Sequence, residues 1–539
     1  MATHDDVAAL LVRATSFVKA WGEARLSNGK TLSEALTVQG IPLWDALSVD
    51  TARLHVPRAL ARGTRALSLP QRIRPHLSRA KDSVIRLARL RPNLKGCQTC
   101  PSSRAILLLG FGAYLYRDVL QPVVARLAKR THVCPVSLYD GRRARATALV
   151  DHEGFQSIWQ HWDGERAMRG LRRELAAAIG DLRATGDLPS VIRDSQGHSL
   201  WPQMAETFDR LLGVYVPRLL PLAAVARHIL DHHRPALVLS PDVADPRTRL
   251  YTILAARRGI PSLEIQFGVA GPESIEWRFM AADRVAAWGQ QAANVLAAHG
   301  VPLERIAVTG SPRHDDLSGP PDREAPEARA RLGIPEGNAM VLLASVYYLD
   351  EYSSVADTML PELLRVTKLA VFDAAERIPG LSLVVKPHPQ ENVAELKRLV
   401  GSRRNIRVVE PRVDIRDLIK LCDAFIAPAD STSVLDALIA NKLTIRPAFP
   451  GWIWSDFFTA SGATVTPRSA DEIASCLMMV VNGSRARVQA SLEPARRRLL
   501  STWVGGTDGQ ASARIEALIL EMAGLESSPD HHGLPAHAG

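Results

Sequence analysis

The sequence is poor in features that settle a class at once. It holds five cysteines in 539 residues: Cys97, Cys100, Cys134, Cys422 and Cys476. That is too few for a disulfide scaffold. Cys97 and Cys100 form one CxxC, but no second CxxC and no nearby His pair completes a zinc set. The pair reads as reduced thiols, and the chain suits a reducing cytoplasm. Aromatic residues make up only 5%, and none interleave with basic ones as a nucleic-acid surface requires, so nucleic acid is not an expected partner. The longest apolar run, 105–116, is too short to span a bilayer and holds two glycines. The N-terminus has no basic segment leading into an apolar core, so it does not read as a secretory signal. No GxxxxGK[ST], HExxH or GxSxG is present, and Gly110-Phe111-Gly112 is not GxGxxG. No Asp-x-Asp follows a predicted strand, so neither a metal nor another cofactor is called for.

What remains is a globular profile, 46% hydrophobic and 23% charged, long enough for two or three domains. The net charge of +10 is concentrated. Twelve basic residues and one acid, Asp82, lie between Arg53 and Lys95, a surplus of +11 that leaves the rest of the chain at −1. Leucines, isoleucines and valines alternate with these arginines. The segment is either a solvated face on helices packed against the body or a docking surface for anionic lipid or an anionic polymer.

Residues 1–98 read as a basic helical N-terminal extension. From 105 the texture changes to short apolar runs separated by amphipathic helices. Strands are predicted at 105–109, 132–138, 236–240, 262–266, 285–288 and 305–308. Helices are predicted at 118–129, at 207–233 with breaks at Pro217 and Pro221, and at 248–258. After a Pro-rich linker at 318–326 the alternation resumes, with strands at 340–345, 381–385, 406–409, 424–427 and 443–446. Two βα series around a linker predict an α/β protein of two doubly wound domains with a cleft between them. The boundaries read as 99–312 and 313–500, then a C-terminal helix within 501–525 and a disordered tail at 526–539.

Parallel sheets bind ligands beyond the carboxyl ends of their strands. At one such end stands Lys386-Pro387-His388-Pro389, a stiff turn that places a cation and an imidazole in one crevice. At another stand Ser431, Thr432 and Ser433, opening a helix whose free N–H groups favour an anion. Together they outline a phosphate pocket. Asp436 lies one turn further in, toward a ribose hydroxyl, and Glu410 flanks a base. Gly310, Ser311 and Arg313 follow the last strand before the linker and add a close backbone approach and charge. In the first domain Asp242 and Asp245 end one strand, and Gln266-Phe267-Gly268 ends the next. A carboxylate there can take a proton from an acceptor hydroxyl. Glu153, in Asp151-His152-Glu153-Gly154, is a further acidic candidate.

Several stretches in order resemble a known group: Gly259-Ile260-Pro261, Gln266-Phe267-Gly268, Trp288-Gly289, Thr309-Gly310-Ser311-Pro312-Arg313, Lys386-Pro387-His388-Pro389 and Asp430-Ser431-Thr432-Ser433. They are similar to the GT-B glycosyltransferases of bacterial surface polysaccharide synthesis, in particular the capsule group of Kdo transferases, polysialyltransferases and CDP-glycerol glycerophosphotransferases. The resemblance covers about residues 100–525. It implies a GT-B fold, two Rossmann-like domains facing across a cleft. It also implies a metal-independent transferase moving a glycosyl or glycerol-phosphate unit from a CMP- or CDP-linked donor to a polysaccharide or lipid-linked acceptor. Lys386, His388 and 431–433 would hold the donor, Gln266 and Gly268 would stand on the acceptor side, and Asp245, Asp242, Glu153 and His388 would be the catalytic candidates. Where the group carries Gln-His-Gly this chain has Phe267 in the middle, and Asp151-His152-Glu153-Gly154 matches the group's acidic base motif imperfectly. The alternatives are a UDP-amino-sugar 2-epimerase on a related fold and a non-catalytic scaffold of an assembly complex. The expected location is cytoplasmic, peripheral on the inner face of the plasma membrane.

Overall fold

The computed structural model describes residues 4–62, 105–110, 116–138, 156–157, 165–317, 325–346, 359–389, 391–429, 431–449 and 457–525. Two strands, β1 (Thr37–Val38) and β2 (Ile41–Pro42), form a small antiparallel hairpin. The first large sheet has seven parallel strands: β3 (Ile106–Gly110), β4 (Val133–Ser137), β5 (Gln156–Ser157), β6 (Leu237–Ser240), β7 (Ser262–Ile265), β8 (Arg284–Ala287) and β9 (Ile306–Val308), in the spatial order β5-β4-β3-β6-β7-β8-β9. The second has five: β10 (Ala339–Ala344), β11 (Leu381–Lys386), β12 (Ile406–Val408), β13 (Ala424–Ile426) and β14 (Leu443–Ile445), in the order β12-β11-β10-β13-β14. Both are doubly wound, as the two βα series predict. The central strands β3 and β11 are buried along their whole length, which is why they read as unbroken apolar runs rather than alternating ones. The two-residue strand β5 was not legible, because so short a segment carries no periodicity.

Residues 4–62 and 165–233 are built on one plan that the sequence reading missed. Each begins with a 20-residue helix, His4–Glu23 or Glu165–Ala184. Each then makes a glycine-tipped turn closed by a bridge, Arg25 to Thr31 or Arg193 to Ser199. In both turns the arginine folds back on the glycine carbonyl, with Nη1 2.9 Å from the Gly29 oxygen and 2.6 Å from the Gly197 oxygen. Those glycines have φ of +81° and +85°, which glycine alone adopts without strain. Later in each segment a π-helical turn, Thr51–His55 or Leu211–Tyr215, leads into a helix that begins Val-Pro-Arg, at 56–58 and 216–218. The last residues of the two π turns, His55 and Tyr215, meet with ring centroids 4.8 Å apart and planes tilted by 45°. The two segments share one apolar core with Leu107, Leu109 and Val238 of the first sheet. Pro217 does not break the helix, because the π-helical turn Leu211–Tyr215 just before it accommodates the missing N–H while the chain stays helical on both sides. Pro221 lies inside that helix.

The chain crosses between the domains a second time near its end. Helix Arg485–Trp503 packs in the second domain. The backbone then passes Trp288, whose carbonyl accepts from the Gly505 amide at 2.5 Å. A Cβ on Gly289 would lie 2.5 Å from the Trp503 carbonyl carbon, so no side chain fits there. The last helix, Ala511–Met522, lies against the first sheet, with Ile515, Leu518 and Ile519 in one cluster with Leu108 and Leu237. Among the described residues no helix is long and apolar enough to cross a membrane. Cys422 and Cys476 are buried free thiols. Cys134 is disulfide-bonded, unlike the fully reduced set the sequence suggested.

Candidate functional site

In the second sheet the chain runs outward from β10 to β12 and then returns to the other side of β10 with β13. Loops after β10 and β13 therefore diverge and leave a crevice at the carboxyl edge, with the β11 loop beside it. Lys386 ends β11 and is 6% exposed. Its Nζ donates to the carbonyls of Pro387 and Pro411, both at 2.9 Å. Burial, then the nearby Arg117, push its pKa down to about 8. The half-buried His388 follows, its imidazole held below the usual range chiefly by burial. Glu391 organises this turn. It accepts from the His388 amide at 3.1 Å, from Ser345 Oγ at 2.8 Å and from Lys368 Nζ at 2.6 Å. Across the crevice Ser431 begins helix Thr432–Ile439, and its side chain does not cap the helix. Instead its Oγ lies 2.8 Å from Ser433 Oγ. The structure thus brings Lys386, His388 and residues 431–433 to one sheet edge, as the motifs predict. Glu410 is exposed on the loop after β12.

Four of the expected donor ligands, Asp436, Arg313, Gly310 and Ser311, are placed otherwise. Asp436 is fully buried and faces Arg313, whose Nε lies 3.0 and 2.9 Å from the two carboxylate oxygens and whose Nη2 lies 2.5 Å from one of them. A ribose hydroxyl has no access to that carboxylate. Arg313 Nη1 reaches Asp118 Oδ2 at 2.5 Å, so its charge is also committed within the protein. Gly310 lies under the final helix rather than at the crevice. Its φ is +83°, and an added Cβ would come within 3.1 Å of Ala511. Ser311 is fully buried, with an Oγ that finds no hydrogen-bond partner among the described residues. The Gly-Ser-Pro-Arg segment is thus a packed junction. Its neighbour Asp315 caps the final helix by accepting from the amides of Ala511 and Ser512, each at 2.9 Å.

The cation network continues between the domains. Arg117, just beyond β3, has its Nε 3.1 Å from Asp118 and 3.2 Å from Asp414, the N-cap of helix Ile415–Leu421. Its Nη1 donates to the Arg412 carbonyl at 3.3 Å. Arg416 pairs with Asp414 at 2.8 Å and approaches Asp118 at 3.5 Å. The carboxyl edge of the first sheet thereby meets that of the second.

In the first sheet the strand order reverses between β3 and β6. Asp242 and Asp245 follow β6, at that crevice. Asp245 caps helix Pro246–Ala256 through the Arg247 amide at 2.8 Å and is held bidentately by the Arg247 guanidinium at 2.8 and 2.6 Å. Asp242 has no such arginine partner among the described residues. It accepts from the amides of Ala244 and Asp245 at 2.8 and 3.2 Å. Burial and the Asp245 and Glu276 carboxylates push its pKa up to about 6. Beside it stands Glu264, which the sequence reading missed. It pairs in register with Ser240, is 2% exposed, and has an Oε2 with no hydrogen-bond partner among the described residues. Burial and the Asp242 charge raise its pKa well above the carboxylate range. An acid set between Leu263 and Ile265 in the short strand β7 was the available signal. Gln266 serves as a strut. Its Oε1 accepts from the Trp288 amide at 2.8 Å, its Nε2 donates to Gly268 at 2.8 Å, and its carbonyl accepts from Trp288 Nε1 at 2.6 Å. Its amide is thereby spent on the turn, which holds Phe267 outward at 39% exposure. Glu153, Cys97, Cys100, residues 63–95 and the tail lie outside the described residues.

No protein-family model matches this sequence, and no curated protein matches it. Solved structures do. One assigned as a UDP-N-acetylglucosamine 2-epimerase from Listeria monocytogenes is 14% identical, with a TM-score of 0.50 over 80% of this chain and 99% of its own. UDP-GlcNAc 2-epimerase from Neisseria meningitidis is 15% identical, with a TM-score of 0.47 over 77% of this chain and all of its own. The wall teichoic acid polymerase TagF is 11% identical, with a TM-score of 0.47 over 85% of this chain and 99% of its own. At such identities the likeness is one of fold. The two parallel-sheet domains are those of the GT-B architecture.

Proposed function

We propose that this chain is a GT-B transferase that moves a glycosyl or glycerol-phosphate unit from a CMP- or CDP-linked donor to a hydroxyl of a surface-polysaccharide or lipid-linked acceptor. The observation that carries this reading is the meeting of Lys386, His388 and the uncapped start of helix Thr432–Ile439 around β10. A cation, an imidazole and free helix amides at a point of strand reversal suit a nucleotide phosphate, and they stabilise it as it departs. On the opposite edge Asp242 assists deprotonation of the acceptor hydroxyl. Incubation with CMP-, CDP- and UDP-activated donors and a polysaccharide acceptor, with detection of the freed nucleotide, tests the proposal. Release of none of the three nucleotides counts against it.

A second reading, a UDP-amino-sugar 2-epimerase, is favoured by the adjacent carboxyl groups of Asp242 and Glu264, because epimerisation needs more than one acid or base in the cleft. Incubation of UDP-GlcNAc in D2O without acceptor separates the two. Deuterium at C2 of the recovered sugar nucleotide supports the epimerase.

A further inference from the structure

The three guanidinium groups at the domain contact are all paired with carboxylates: Arg313 with Asp436 and Asp118, Arg416 with Asp414 and Asp316, and Arg117 with Asp118 and Asp414. Lys386 differs. Among the described residues no carboxylate lies within ion-pair distance of its Nζ, which is met by two carbonyl oxygens. A buried ammonium with only neutral acceptors is costly, and a second cation close by raises that cost. Arg117 is that second cation, near enough to depress the Lys386 pKa. Its side chain is 37% exposed. Its Nε and Nη1 are engaged, while Nη2 makes no hydrogen bond among the described residues. An anion placed between the two would match both charges, and a guanidinium with a free edge is suited to phosphate oxygens.

We infer that Arg117 is a cross-domain ligand of the nucleotide's phosphate groups, completing from the first domain the site that Lys386, His388 and residues 431–433 build on the second. The inference rests on the functional reading above, which supplies the nucleotide. It has a consequence that reading lacks: the phosphate site is whole only when the carboxyl edges of both sheets are in contact. Nucleotide binding then favours the closed arrangement, because only that arrangement offers Arg117.

Isothermal titration of the full chain with CMP, CDP and UDP, and in parallel with cytidine and uridine, tests this. Arg117→Ala is expected to weaken the best-bound nucleotide by ~10-fold or more, the scale of one charged hydrogen bond. Affinity for the matching nucleoside should not change, which a merely structural loss would not achieve. Arg117→Lys keeps the charge and should recover part of the affinity, and it serves if the alanine variant fails to fold. Wild-type nucleotide affinity in both variants overturns the inference and leaves the functional reading standing. A wild-type chain that binds none of the three nucleotides removes the functional reading and the inference with it.

Discussion

Arg313 lies against Asp436 with Nε 2.9 and 3.0 Å from its two oxygens, in a pocket where the carboxylate is 0% and the guanidinium side chain 10% exposed. Removing the Asp436 charge leaves the buried Arg313 with Asp118 alone, and breaking such a buried pair costs at most about 3–5 kcal/mol. Asp436→Asn is therefore expected to lower the urea midpoint sharply, in a variant whose nucleotide site is otherwise intact. A midpoint shift worth less than about 1 kcal/mol would show that the pair is dispensable to folding.

His388→Ala should reduce turnover ~100-fold or more if the imidazole stabilises the departing phosphate by a few kcal/mol in the transition state. The KM for the donor should change far less than kcat. Unaltered turnover would remove His388 from the mechanism.

The pH profile should be bell-shaped. Asp242 must be ionised to act as base, so activity should rise with pH through about 6. Lys386 must be protonated to hold an anion, and its pKa is depressed, so nucleotide affinity should fall as pH rises through about 8. Bound phosphate moves that limb upward, because the anion favours the charged ammonium. Asp242→Asn should erase the acid limb. Affinity that stays flat to pH 10 would be inconsistent with Lys386 as a phosphate ligand.

EDTA should leave the reaction rate unchanged, since the cations that would take the leaving phosphate are side chains. Loss of activity in EDTA with recovery on adding Mg²⁺ or Mn²⁺ would contradict this.

The basic stretch from Arg53 to Lys95 should drive peripheral membrane binding. A few arginines facing an anionic surface, at about 1 kcal/mol each, give reversible attachment that fades as salt shortens the Debye length. The chain is expected to pellet with anionic liposomes at low salt, release at high salt, and lose both behaviours when 53–95 is charge-neutralised. At its start the stretch also serves the fold: Arg53 lies 3.8 Å from Glu276. Equal partitioning of wild-type and neutralised protein would leave the segment with structural work alone.

The sheets were legible because a strand buried on both faces needs an uninterrupted apolar run, and eleven of the strands announce themselves that way or nearly so. The gathering of Lys386, His388 and residues 431–433 was legible because each motif follows a predicted parallel strand, and the ends of parallel strands share one edge of a sheet. The roles of Arg313 and Asp436 were not, since they lie 123 residues apart in the chain and only the tertiary fold brings them together. Arg117 and Glu264 were missed for the opposite reasons. One is an arginine among many, and the other is a single acid inside a strand whose periodicity drew attention to its neighbours. The duplicated helical plan escaped notice because its common residues are few, an arginine, a serine, a glycine and a leucine around a turn and a later Val-Pro-Arg, and their equivalence shows in the matching bridges, π turns and arginine bonds.

Because the chain passes from one domain to the other twice, once after Arg313 and again between Trp503 and Ala511, the two halves are joined like a door on two pins. A single connection would let them swivel in any direction. Two connections leave fewer relative motions open, and Gly289, Gly310 and Gly505 all pack closely at the second crossing. A side chain at any of the three would strain the point where the chain returns to the first domain, and would be felt by both halves at once.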